Sequence, residues 1–356
     1  MVPREKKDVW PEPRIGIFQL VPAPERPTDN EAIEQALREI DFAEAAGFDS
    51  VWIAEHHLSS FGLVGAPSVY AAAIAQRTRR IGIGYAVAVV PLHHPVRLAE
   101  EISWLTHLAP GRISVGLGSG FSPFELEGYG VAPEERRARF IEGCAVLEGL
   151  FGEDAFEHRG RFWTVPPVRL RPRPFGGKPP LLRACSSRES IGDAARRGQR
   201  ILLGLKTPPE LAAAIDRYRS ARSAIGVLPD ELDREIGDIP VLRRITIGES
   251  DDEARDIARR AVGWEANTAR RPSGDDPAAG SEPPGGHDAL AGGCVGTAAT
   301  VIAELRRVSE LGLRRIIAWV NFGDMPYDRV RTTMEILARD VIPAFRAEDR
   351  RSTAVA

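Results

Sequence analysis

The stretch RIGIFQLVPAPERPTDNEAIEQALREIDFAEAAGFDSVWIAEHH, residues 14–57, decides the fold. A β-rich run from Arg14 to Val21 gives way to an amphipathic helix from about Asn30 to Ala46, which Gly47 stops as a C′ glycine does. A second β-rich run, Ser50 to Ala54, follows at once. Strand, helix, strand in this order is the unit of a parallel sheet. Outward from it the alternation continues through strands expected at Ile81 to Val90, Ile113 to Gly118, Leu181 to Ala184, Ile201 to Leu203, Val241 to Ile247 and Arg315 to Val320. Helices are expected at Val96 to His107, near Glu134 to Leu150 and at Tyr327 to Phe345. Eight strands in this rhythm predict a (β/α)8 barrel, with a doubly wound open sheet as the structural rival.

Two segments interrupt the pattern. Gly152 to Pro180 is rich in Pro and Arg and suits a small hairpin around Arg159 and Gly160. Asn267 to Gly293 is dominated by Gly, Pro, Ala, Ser and Asp and has no apolar period, so it is expected to be a mobile insertion after the seventh strand, acting as a lid. The expectation is one domain over residues 1–356, with a core at 14–346, the loop at 267–293 and flexible termini at 1–12 and 347–356.

Composition narrows the function. With 47 basic and 50 acidic residues the formal charge is −3, which provides no field to draw in nucleic acid or an anionic membrane. Cys144, Cys185 and Cys294 are too few and too far apart for a disulfide framework or a CxxC metal pair, which fits a reducing cytoplasm. Small-molecule chemistry is the expectation. In either rival architecture ligands bind beyond the carboxyl ends of the strands, so polar residues there are the candidates.

Glu55, His56 and His57 follow the second strand directly, and side-chain alternation sends the two histidines to different surroundings. A histidine at a strand end is more often a hydrogen-bonding structural residue than a catalyst, and a zinc site with His93 and His94 is a further reading; without HExxH or Cys-rich spacing no metal is expected. Gly116, Gly118 and Gly120 look like a dinucleotide fingerprint, but Pro123, Gly128 and Gly130 intervene before a helix is expected to start. Glycines here suit either packing or a flat ring against the backbone. Ser186, Ser187 and Ser190 open the helix after the fifth strand, where free N–H groups make either a phosphate site or an ordinary N-cap. Arg139 on the preceding helix is a candidate bidentate partner for the same phosphate, or a solvated surface residue.

Taken in order, Trp52 to His57, Phe61 to Gly65, His94 to Glu100, Gly111 to Ile113 with Gly116, Gly296-Thr297, Leu311-Gly312 and Pro343 resemble the α subunit of bacterial luciferase over nearly the whole chain. The resemblance implies a luciferase-like (β/α)8 TIM barrel that binds reduced FMN, forms a C4a-hydroperoxide with O2 and oxidises a small organic substrate by aldehyde oxidation, hydroxylation or Baeyer–Villiger insertion. It implies His56 as the catalytic histidine, with Glu55, Gly118 and Ser119 beside the cofactor and Ala86-Val87 as a non-prolyl cis peptide under the flavin ring. It also implies Ser186, Ser187, Ser190 and Arg139 as phosphate ligands, a separate flavin reductase as partner, and a homodimer.

The chain departs from luciferase at Gly118 and Ser119, which stand where luciferase has a reactive cysteine and an arginine. That removes a thiol and one phosphate contact, argues against light emission on a long-chain aldehyde, and is expected to widen the space beside the flavin. Two alternatives accompany this reading: hydride transfer with the deazaflavin F420, which relatives of the same barrel use, and a non-catalytic partner subunit of a heterodimer.

Overall fold

Residues 13–23, 28–268 and 290–346 are described by the structure, a computed structural model of the chain. β1 (Arg14–Gln19) leads to α1 (Asp29–Ala46), whose start is fixed by a reciprocal capping box between Thr28 and Glu31, an arrangement of the kind that contributes about 1 kcal/mol. Gly47 ends it at φ 87°, a left-handed conformation that costs glycine little. The chain continues through β2 (Ser50–Ile53), α2 (Pro67–Arg77), β3 (Gly82–Val89), α3 (Pro95–Leu108), β4 (Ile113–Gly118), α4 (Pro123–Gly128) and α5 (Arg136–Gly152). The hairpin β5 (Phe156–Arg159) and β6 (Thr164–Val168) follows, then β7 (Leu181–Cys185), α6 (Arg188–Arg196), β8 (Arg200–Leu203), α7 (Pro208–Ser223), α8 (Pro229–Gly237) and β9 (Pro240–Ile247). α9 (Asp251–Thr268), β10 (Cys294–Gly296), α10 (Ala298–Glu310), β11 (Arg315–Trp319) and α11 (Tyr327–Ile336) complete it.

Eight parallel strands form a ring in the order β1, β2, β3, β4, β7, β8, β9, β11, back to β1. Pairing of Leu203 with Val241 joins β8 to β9 and closes it, which removes the open-sheet rival. Both faces of the strands are covered, so β3 reads as a nearly continuous apolar run.

Three expectations need correction. Pro123 does not prevent a helix: as the first residue of α4 it lacks only an N–H that a helix start leaves unpaired anyway. Of the expected insertion, Asn267 and Thr268 belong to α9, while residues 290–293 lead into β10, a three-residue strand on the edge of β9 too short to show a period. The part at 269–289 lies outside the described residues, as do 1–12 and 347–356. The closing helix is one path, but a π-helical turn at Leu337–Val341 interrupts it.

Candidate active site

Glu55 emerges from β2 with its side chain fully enclosed. An isolated buried carboxylate would be very costly. Here Oε2 accepts the Val89 N–H at 2.7 Å, and Oε1 stands 2.8 Å from Nε2 of both His57 and His93. Burial works to raise the Glu55 carboxyl, but the hydrogen bonds from His57 and His93, the charge of His93 and the Val89 N–H outweigh it and hold the group at about 2. His93 is affected in the reverse sense: burial lowers it, and the bond and charge of Glu55 lift it above the ordinary histidine value. His93, considered above as a zinc ligand, therefore engages a carboxylate, and no group of His, Cys, Asp and Glu among the described residues is arranged to hold a metal.

The adjacent histidines diverge as strand alternation requires, and α4 meets both. His56 Nδ1 lies 3.0 Å from Oε1 of buried Glu125. His57 Nδ1 lies 2.8 Å from the Tyr129 hydroxyl. Glu125 lies on this short helix and Tyr129, four residues later, caps its C-terminal end. A carboxylate only accepts, so the His56 proton belongs on Nδ1, which leaves Nε2 with no protein partner among the described residues. Phe61 and Phe121 stand edge-on to the His56 ring, with centroids 4.6 and 5.6 Å away. Glu125 and Tyr129 were missed in the sequence because α4 was dismissed; a Glu and an aromatic at i, i+4 opposite a His pair was the available signal.

Ala86 and Val87 bulge from the β3–β4 ladder, which loses register between Tyr85 and Ala88, and the bond between them is cis. Gly118 faces this bulge. A Cβ there would fall 2.2 Å from Val87 Cγ2, so the glycine makes room for Val87 and does not widen the space beside it. Ser119 is half-buried, with only a 3.4 Å hydrogen bond to the carbonyl of Gly120.

At the start of α6 the three serines come together. Ser187 is the N-cap, accepting from the Ser190 N–H at 3.1 Å, and the Ser190 hydroxyl donates to the Ser187 carbonyl at 2.8 Å. Lys206, beyond β8 and unnoticed in the sequence, donates to the Ser186 carbonyl at 2.9 Å. Its own carbonyl is held by buried Arg243, which also donates to Gly292 at 2.7 Å. Arg139 is not joined to the serines: it pairs with Glu135 at 3.0 Å and lies 4.6 Å over the Phe162 ring. An exposed helix start with two hydroxyls and a nearby ammonium suits the phosphate of a flavin mononucleotide, and the apolar histidine surroundings suit a reaction shielded from water.

A closed barrel with polar side chains gathered beyond the carboxyl ends of its strands defines an α/β barrel of the kind that carries its site at that end. The chain belongs to the luciferase-like monooxygenase family, whose sequence model matches residues 14–315. It is 24% identical over 353 residues to the oxygenase component of the flavin-dependent trigonelline monooxygenase of Acinetobacter baylyi, covering 92% of this chain and 95% of that one. It is 31% identical over 322 residues to the uncharacterized protein y4wF of Sinorhizobium fredii, covering 84% of this chain and 89% of that one, and 35% identical over 173 residues to the uncharacterized protein y4vJ of the same organism, of which the chain spans about half, 48%. Among solved structures, the monooxygenase RslO1 of Streptomyces bottropensis superposes with a TM-score of 0.81 at 27% identity, over 93% of this chain and 99% of that one. The same fold appears in the FMN complex of the oxygenating constituent of 3,6-diketocamphane monooxygenase of Pseudomonas putida, with a TM-score of 0.73 at 19% identity over 93% of this chain and 98% of that one. It also appears in an F420-dependent secondary alcohol dehydrogenase, with a TM-score of 0.75 at 21% identity over 94% and 99%.

Proposed function

We propose that this chain is the oxygenase component of a two-component system, taking reduced FMN from a separate flavin reductase and using O2 to oxidise a small organic substrate. The observation that carries the reading is the His56–Glu125 pair, set among aromatic rings at the end of β2 with Nε2 left unpartnered. When bound, reduced FMN supplies the two electrons that activate oxygen. Glu125 orients the His56 ring through Nδ1, so that Nε2 can hold or release a proton at the reacting atoms. Phe61 and Phe121 flank the ring edge-on and hold it between apolar surfaces. The α6 N–H groups, Ser187, Ser190 and Lys206 bind the phosphate; Arg139 joins them by leaving Glu135. Glu55 ties the ends of β2 and β3 together through Val89.

The test is anaerobic titration of the purified chain with reduced FMN, followed by a pulse of isotopically labelled O2 in the presence of candidate substrates. Tight binding and label in the product are expected. Oxygen-independent reduction of substrate with F420, without label incorporation, would replace this reading with hydride transfer.

A further inference from the structure

We propose that Tyr129, His57 and Glu55 form a second proton-accepting unit at the barrel mouth, and that it serves a substrate carrying an acidic O–H group, a phenol or an enol. This rests on the reading of the barrel mouth as the oxygenation site. The geometry has a direction. Glu55 is a buried carboxylate that only accepts, so His57 donates to it through Nε2–H, and the bare Nδ1 then accepts the Tyr129 hydroxyl. A phenol held by a base whose far nitrogen is bound to a carboxylate is the arrangement that activates an O–H group. The chain of bonds leads from the buried end of β2 to a residue that is 47% exposed.

In the step inferred, the Tyr129 oxygen takes the proton of the substrate O–H while its own proton passes to His57 Nδ1. The substrate becomes a phenolate or enolate and His57 an imidazolium, which Glu55 stabilises. No electrons change hands. The electron-rich anion so formed is the species that accepts oxygen. Tyr129 is suited to pass a proton without keeping the negative charge, since burial, Glu55 and Glu125 together raise its phenol above the usual range. The charged and titratable groups facing the unit are Glu55 from β2, Glu125 from α4, His93 after β3 and His56 beside it. His93 offsets part of the negative charge that the two carboxylates place near an anionic substrate. Tyr129 would be the catalytic residue; His57 and Glu55 act through it.

The experiment uses the full chain without flavin, so it fails independently of the reduced-FMN titration. 4-Nitrophenol is bound to the protein, and its phenolate absorbance is followed against pH. Wild type should lower the ionisation midpoint of the bound probe by about one pH unit or more, a tenfold shift in its ionisation. Tyr129→Phe keeps the ring against His57 but removes the oxygen, and should return the midpoint to that of the free probe. His57→Gln, which can still donate to Glu55 but cannot accept the proton, should do the same and covers the case in which the tyrosine variant fails to fold. Absence of binding, an unshifted midpoint in wild type, or an equal shift in either folded variant overturns the proposal.

Discussion

The two sides of the barrel mouth are built on opposite terms. On the β2–α4 side, Glu55, His57 and Glu125 are buried, and every partner they need is supplied by a neighbouring element. On the β7–α6 side, Ser187 and Ser190 lie near solvent and cap each other through bonds of 2.8–3.2 Å within one turn. The difference follows from the tasks. A proton-handling group gains strength from low dielectric and fixed geometry, so it must be organised before the ligand arrives. A phosphate brings its own charge and acceptors, and a helix start can exchange weak local caps for it at little cost.

The strongest way to break this contrast is His56→Ala. Product formation should fall by roughly 10²–10⁴ while the affinity for reduced FMN stays within about threefold. Turnover within about threefold of wild type, under ~1 kcal/mol in the barrier, would make His56 structural.

Glu125→Gln sharpens it. The amide can donate to Nδ1 and so favour the wrong tautomer, and steady-state turnover should drop by about a hundredfold, with more of the consumed oxygen released as peroxide. An unchanged rate would mean that α4 only covers His56.

On the opposite side effects should be smaller and confined to binding. Calorimetry should show reduced FMN binding about 10–100 times tighter than reduced riboflavin, which lacks the phosphate. Arg139→Ala and Lys206→Met should each narrow that gap, Lys206→Met more, because Lys206 already points to the serines whereas Arg139 must first leave Glu135. Equal affinity for the two flavins in wild type would remove the anchor altogether.

The smallest effect concerns a buried carboxyl with neutral partners. Glu39 on α1 is bonded by Gln19 at 2.7 Å and Asn321 at 2.8 Å, and burial pushes it up to about 7, whereas Glu55, with cationic and N–H donors, is held at about 2. A carboxyl raised in the folded state favours folding below its unfolded value near 4.5, and that contribution is lost as pH rises to about 7. Urea denaturation should therefore show wild type losing on the order of 2 kcal/mol between those limits relative to Glu39→Gln. Parallel stability curves for the two proteins would show that Glu39 ionises normally.

The barrel was legible because its signals are local. Apolar runs of four to eight residues and helix stops such as Gly47 report on their own segments, and all eight barrel strands lie where those patterns put them. Likewise Glu55, His56 and His57 stand out because they are a polar triplet directly after an apolar strand, and the serines because a helix start needs a cap. The partners of those residues were not legible. Glu125 lies 69 residues from His56 in sequence, His93 lies 38 from Glu55, and Lys206 lies 20 from Ser186. No short-range pattern marks such pairs. By itself, then, the sequence determined the order of strands and helices and the end of the barrel where polar residues gather. Only the tertiary structure decided that Glu55 is occupied by two histidines and a backbone N–H, that Gly118 yields its space to Val87, and that α4 presents Glu125 and Tyr129 to adjacent histidines. The physical reason is that propensity and capping act within a few residues, whereas the charge state and orientation of a buried group are set by whatever closure of the barrel brings within 3 Å of it.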